Sequence, residues 1–209
     1  TREGAESSKI YMVGNILMDT LRFNHQRFAR PAVMDNLGLT EKRYIVFTLN
    51  RKAIIGNDDE LRALLVSMMS HTGDIPVVAP LRQLAADAVQ CIVNENPLLF
   101  ENLHIVEPLD YLHFGYLTAN ALGVVTDSGN VAEEATFNTV PCITLNSYTE
   151  HIETVKVGSN VLVGEDPVLL GEEMARMVDG KWKHCGIPER WDGRSAERIV
   201  QTLLECAAK

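Results

Sequence analysis

A chain of 209 residues, 46% hydrophobic and 22% charged, has an ordinary globular composition and is long enough to bury one substantial core. Its formal net charge of -9, with no run of lysines and arginines, excludes the basic stripe that tracks a nucleic-acid backbone, so no nucleic-acid partner is expected. No apolar run approaches the ~20 residues of a membrane span, and the opening Thr-Arg-Glu-Gly has no hydrophobic secretory core, so no membrane partner is expected and the location is read as cytoplasmic.

In chain order, short β-rich apolar runs alternate with longer segments of helical spacing. Residues 10–13, 44–49, 75–79, 103–106, 122–126 and 142–145 are predicted strands. Residues 58–70 set Leu61, Leu64, Leu65 and Met68 on one helical stripe, and helices are predicted also at 81–91, 110–120, 167–178 and 195–206. This alternation predicts one α/β domain, a Rossmann-like doubly wound parallel sheet. Cys91, Cys142, Cys185 and Cys206 have no C-x-x-C spacing; they are expected to be free thiols buried as small hydrophobes, with no metal site.

In such sheets ligands sit at the carboxyl ends of the strands, so the turns after strands carry the functional reading. Asp127-Ser128-Gly129-Asn130 follows the predicted strand at 122–126 and precedes a helix starting at Val131. A strand, tight turn and helix aim unpaired N–H groups and the positive end of the helix dipole at one point, which suits a phosphate, and Gly129 has no Cβ to block it. The competing reading is structural: Asn130 caps the helix and Glu133 reaches back to it in a capping box. Glu134, about 100° round the helix from Glu133, is left over, and its carboxylate suits the vicinal hydroxyls of a ribose.

Two further turns belong to the same edge. Residues 146–153 hold Glu150, which could form a capping box with Ser147, and His151, either an acid–base group or a solvated side chain. Asn50-Arg51-Lys52 follows the strand at 44–49, and Arg51 could meet phosphate oxygens in a bidentate pair or stand as a solvated base.

Read in order, these segments resemble the non-hydrolysing UDP-N-acetylglucosamine 2-epimerase family. The resemblance runs from Val13-Gly14-Asn15 with Asp19, through Asn50-Arg51, to Asp127-Ser128-Gly129 with Glu133-Glu134. It continues through Thr149-Glu150 with Glu153 and residues 157–164, and ends at Asp192-Gly193. It implies the second, UDP-binding domain of a two-domain protein built like the GT-B glycosyltransferases, with the first, catalytic domain lying outside this chain. It implies UDP or a UDP-sugar as ligand, bound by Ser128, Gly129 and Asn130 at the phosphates, Arg51 near the diphosphate and Glu134 at the ribose. Asn50, Arg82, Asp127, Glu150 and His151 are further candidates. The family inverts C2 of the sugar by eliminating UDP to a 2-acetamidoglucal and adding it back, with no cofactor; a homodimer and a role in making cell-surface polysaccharide are also implied.

The chain departs from the family pattern at several of these positions. A family histidine is Asn50, whose amide cannot shuttle a proton at neutral pH, and a glutamate is Ala53. The second glycine of the phosphate turn is Asn130, an arginine is missing near Asn146, an internal Arg-Pro is His151-Ile152, and Arg82 stands in place of another histidine. Two functions follow: an epimerase whose UDP-binding half is this chain, or a non-epimerising nucleotide-sugar module, transferase or hydrolase on the same fold.

Overall fold

The computed structural model describes residues 4–208. In chain order its elements are α1 (Ile16–Asn24), α2 (Ala32–Asn36), β1 (Ile45–Phe47), α3 (Lys52–Ile55), α4 (Asp58–Met69), β2 (Val77–Pro80), α5 (Gln83–Glu95) and β3 (Leu103–Val106). They continue with α6 (Tyr111–Ala119), β4 (Gly123–Thr126), α7 (Gly129–Phe137), β5 (Cys142–Thr144), α8 (Ile152–Lys156), β6 (Asn160–Leu162), α9 (Pro167–Val178) and α10 (Ser195–Ala207). They divide into two compact units: Phe28–Ile187, and the described residues up to Arg27 together with those from Pro188 onward.

The larger unit is a six-stranded sheet in the order β3-β2-β1-β4-β5-β6, with every pairing parallel. Parallel strands need helical crossovers, and helices on both faces bury both sides of each strand, which is why the strands are continuous apolar runs. Alternate residues feed two cores. Ile45, Phe47, Val125 and Ile143 pack with Leu61, Leu65, Met174 and Met177 of α4 and α9. Tyr44, Val46, Val124 and Cys142 pack on the opposite face with Met34, Leu117, Ala132 and Ala135 of α2, α6 and α7. The chain winds outward from β1 in one direction and from β4 in the other, so a crevice opens between the carboxyl ends of these two central strands.

Several buried polar groups of the strands are paired with one another or with the flanking helices. Tyr44 donates to the Leu117 carbonyl at 2.7 Å, and burial raises its phenol pKa. Thr144 donates to Asn160 Oδ1 at 2.6 Å, Asn160 Nδ2 donates to Thr154 Oγ1 at 3.2 Å, and Thr154 donates to the His151 carbonyl at 2.7 Å. This relay runs from β5 through β6 into the loop that follows β5.

In the smaller unit Asn15 caps α1 by accepting the Leu17 amide, and Asp19 caps α10 by accepting the amides of Ser195 and Ala196 at 2.9 and 2.8 Å. Gly14, at φ +100°, passes so close to the Arg190 carbonyl that a Cβ there would stand 2.3 Å from it. Asp192 holds Arg198 through a two-pronged ion pair, and its carboxyl pKa falls to about 2. The motif residues at the two ends of the chain are therefore joints of this unit.

Several expectations are corrected. Residues 10–13 form no strand: Ile10, Tyr11 and Met12 are half or more exposed and lie outside the sheet. Of the four free thiols only Cys142 is buried, and burial pushes its pKa up to about 12; Cys91 and Cys206 are exposed. The sequence pattern does not predict strand β6 or helices α1, α2, α3 and α8, whereas α9 spans its expected residues and α4, α5, α6 and α10 shift only at their ends. No described helix is long and apolar enough to cross a membrane.

Candidate functional site at the sheet switch point

The crevice between β1 and β4 is bounded by the turns that leave them, and one carboxylate joins the two. Asp127, directly after β4, accepts through Oδ2 the amides of Asn50 and Arg51 at 2.7 and 2.5 Å. Asn146, after β5, donates from Nδ2 to the Asp127 carbonyl at 3.1 Å. Beneath them the buried hydroxyls of Thr48 and Thr126 meet at 2.7 Å, and Thr126 Oγ1 accepts the Ser128 amide at 3.0 Å. Three turns from three strands are thereby fixed to one another, so Asp127 is a frame of the site.

Helix α7 starts earlier than its sequence pattern implied, with Ser128 at the N-cap and Gly129 as first helical residue. Asn130 is therefore inside the first turn and exposed, which rules out the capping box with Glu133. Ser128 itself makes no side-chain capping bond, so its hydroxyl and the first amides of α7 face the crevice mouth together. Ser147 and Glu150 form no capping box either: α8 begins only at Ile152, and it is Thr149 that accepts the His151 amide at 3.0 Å.

The paired glutamates have separate environments. Glu133, 3% exposed, meets Nδ1 of His151 through Oε1 at 3.0 Å, so His151 is neither solitary nor free. Glu134, 8% exposed, accepts no hydrogen bond at its carboxylate among the described residues. Burial, reinforced by the neighbouring Glu133, lifts its pKa to about 7. Tyr111, the first residue of α6, has its phenol pKa raised by burial first and by the charge of Glu134 second. A buried carboxyl with no hydrogen-bond donor is costly unless something completes it.

Two adjoining cavities share Arg51. One, of about 420 Å³, is lined by Asn50, Arg51, Arg82, Asp127 and Ser128; the other, of about 230 Å³, by Arg51, Gly129, Asn146, Tyr148, Thr149, Glu150 and His151. The sequence-predicted residues thus converge on one sheet edge, apart from Asn130 and Glu134, which line neither cavity. Arg51 Nη1 is held by Glu165 at 2.6 Å and reaches Asn146 Oδ1 at 3.4 Å, whereas the exposed Arg82 guanidinium has no ion-pair partner among the described residues.

The sequence reading does not single out Glu165 or Tyr148, and the capping box it offers Glu133 as the structural alternative gives way to the contact with His151. Glu165 stands immediately before the Asp166 cap of α9, and nothing in its neighbours points to Arg51; only recognition of β6 would have brought it to the same edge.

The family described as UDP-N-acetylglucosamine 2-epimerase matches residues 1–204. The UDP-N-acetylglucosamine 2-epimerase of Methanocaldococcus jannaschii is 33% identical over 97% of this chain and 56% of its own length. A UDP-2,3-diacetamido-2,3-dideoxy-D-glucuronate 2-epimerase of Pseudomonas aeruginosa is 33% identical over 97% of this chain and 55% of its own. A crystal structure of the M. jannaschii enzyme in complex with UDP-GlcNAc and UDP superposes with a TM-score of 0.75 at 30% identity, covering 96% of this chain and 57% of that one. The chain spans a little over half the length of the curated relatives it matches. With its strand order, its switch-point crevice and the extent of these matches, the chain belongs to the UDP-N-acetylglucosamine 2-epimerase family.

Proposed function

We propose that this chain is the UDP-binding half of a nucleotide-sugar 2-epimerase, holding UDP or a UDP-sugar in the crevice between β1 and β4. The observation that carries the reading is the buried Glu134 carboxylate, which has no donor of its own beside the phosphate-ready start of α7. The vicinal hydroxyls of a ribose supply the two missing donors, and the diphosphate lies along Ser128, Gly129 and Asn130. Arg82 and Arg51 face the diphosphate from the other side, Arg51 after partial release from Glu165. Asn50, Asp127, Glu150 and His151 border the ligand.

Epimerisation by elimination and re-addition of UDP requires acid–base groups at C2 and at the leaving oxygen. The domain supplying them is the first domain of the family's two-domain arrangement, so this half alone is inactive. The whole protein is a cytoplasmic isomerase of cell-surface polysaccharide synthesis, acting as a homodimer without cofactor. Incubating the whole protein with UDP-N-acetylglucosamine in deuterated water is expected to place deuterium at C2; unchanged sugar under all conditions rules out epimerisation.

A second reading is favoured by Asn50. Its backbone amide is fixed to Asp127, and its side-chain amide cannot carry a proton where the family pattern has a histidine. On this reading the protein binds nucleotide sugars without epimerising them, or transfers or hydrolyses them. UDP binding by calorimetry without deuterium exchange supports a binding module, and release of free UDP and sugar supports a hydrolase. Under either reading Ser128→Ala and Glu134→Ala are each expected to weaken UDP by roughly 1–3 kcal/mol; unchanged affinity removes the proposed site.

A further inference from the structure

We propose that His151 is a ligand-contacting cation of the diphosphate site, held in place by Glu133 acting as a positioning residue. The inference rests on the UDP-sugar reading of the same crevice.

The imidazole has two edges with different tasks. Its Nδ1 is 3.0 Å from Glu133 Oε1, and Glu133 is almost wholly buried in α7, so that nitrogen carries the hydrogen. The opposite edge lies against the phosphate turn: a Cβ added to Gly129 would stand 3.2 Å from His151 Cδ2 and 3.4 Å from Nε2. A diphosphate seated on the first amides of α7 therefore meets Nε2. In the neutral ring with its hydrogen on Nδ1, Nε2 presents a lone pair, which repels a phosphate oxygen. In the protonated ring both nitrogens donate, one to Glu133 and one to the phosphate. Ligand binding thus requires a proton on His151.

The surroundings fit this role. The ring's backbone is anchored twice, by its amide to Thr149 and by its carbonyl to Thr154 at the end of the Thr144–Asn160 relay. The charged groups around it are Glu133 from α7, Arg51 across the shared cavity with Glu165 behind it, the exposed Glu150 beside it in the chain, and Glu153 and Lys156 on α8. Glu133 is the one in contact with the ring, and Arg51 is already committed to Glu165.

The test measures the affinity of the whole protein for UDP-N-acetylglucosamine, whose diphosphate diester does not itself titrate near neutrality, at intervals from pH 6 to pH 8.5. Wild type is compared with His151→Arg and His151→Gln. The ratio of wild-type to His151→Arg affinity removes the contribution of Glu134, which titrates in both proteins. That ratio is expected to fall at least about fivefold across the range, and wild type is expected to take up more protons on binding than His151→Arg at the same pH. Glu133→Gln is expected to flatten the wild-type profile while the protein stays folded, which a merely structural role would not do. Parallel profiles for wild type and His151→Arg, or a His151→Gln protein that keeps the wild-type pH dependence, overturn the assignment while leaving the UDP-sugar site standing. If neither wild type nor any variant binds the nucleotide sugar at any pH, the site reading itself fails and the inference with it.

Discussion

The Oδ2 atom of Asp127 accepts the backbone amide of Arg51 at 2.5 Å, tying the turn after β4 to the turn after β1 across the point where the strand order reverses. The bond uses a side chain from one half of the sheet to fix the main chain of the other. Asp127→Ala leaves the amides of Asn50 and Arg51 without this acceptor and is expected to lower stability by roughly 1–3 kcal/mol, measured by urea unfolding. It should also weaken UDP, because Arg51 and Ser128 lose their fixed spacing. Asp127→Asn, which keeps one carbonyl acceptor, should recover part of the stability.

Glu134 makes stability depend on pH in a direction opposite to an ordinary paired carboxylate. Its folded pKa of about 7 lies above the usual carboxylate value, so between that value and 7 the folded state holds a proton that the unfolded chain has released. Stability should therefore fall as pH rises through this window. Glu134→Gln removes the penalty and is expected to raise stability at pH 8 by roughly 1–3 kcal/mol while having little effect near pH 4. Thermal unfolding of both proteins over that range measures the difference. A saturating ligand that donates to the carboxylate should reduce it.

Much of this arrangement was legible from the sequence. The runs that became β1 to β5 are apolar on both faces because helices cover both, and Leu61, Leu64, Leu65 and Met68 repeat at helical spacing because α4 lies on the sheet. The turns at Asn50, Asp127 and Asn146 could be ranked as candidates because a parallel sheet brings all such turns to one edge. Strand β6 was hidden by its shortness and by Asn160, a buried polar residue satisfied by partners from β5 and α8. Residues 10–13 have strand composition but pair with no strand among the described residues, and Ile10, Tyr11 and Met12 are half or more exposed. The pairs Glu133–His151 and Arg51–Glu165 join separate turns, and no local spacing reveals them.

Asn160 links β5 to the loop bearing His151 through its side-chain amide, which meets the hydroxyls of Thr144 and Thr154. Asn160→Ala takes away the acceptor of the buried Thr144 hydroxyl and one donor to the Thr154 hydroxyl, and is expected to cost roughly 1–3 kcal/mol. Amide hydrogen exchange should rise in the loop at 146–151 more than in β1 and β2, since the loop loses its anchor and the central strands do not.

Gly158 allows α7 to approach the turn before β6. A Cβ there would stand 2.4 Å from Thr136 Cγ2 and 2.7 Å from the Thr154 carbonyl. Gly158→Ala is expected to destabilise by roughly 1–3 kcal/mol, as other overpacked positions do. Adding Thr136→Ser, which removes the methyl, should restore part of the loss; the Oγ at residue 136, 2.6 Å from the added Cβ, and the Thr154 carbonyl keep it from restoring all. Chemical denaturation of the single and double variants gives the two values.

The central claim is that a nucleoside diphosphate sits at the start of α7, between the turns of β1 and β4. Titrating the isotope-labelled protein with UDP while following each backbone amide resonance tests it most directly. The amides of Ser128, Gly129 and Asn130, and those of Asn50 and Arg51, are expected to move together with one saturation curve, while those of β3 and α10 stay fixed. Saturating shifts confined to another part of the chain, with the Ser128 to Asn130 amides unmoved, would contradict it.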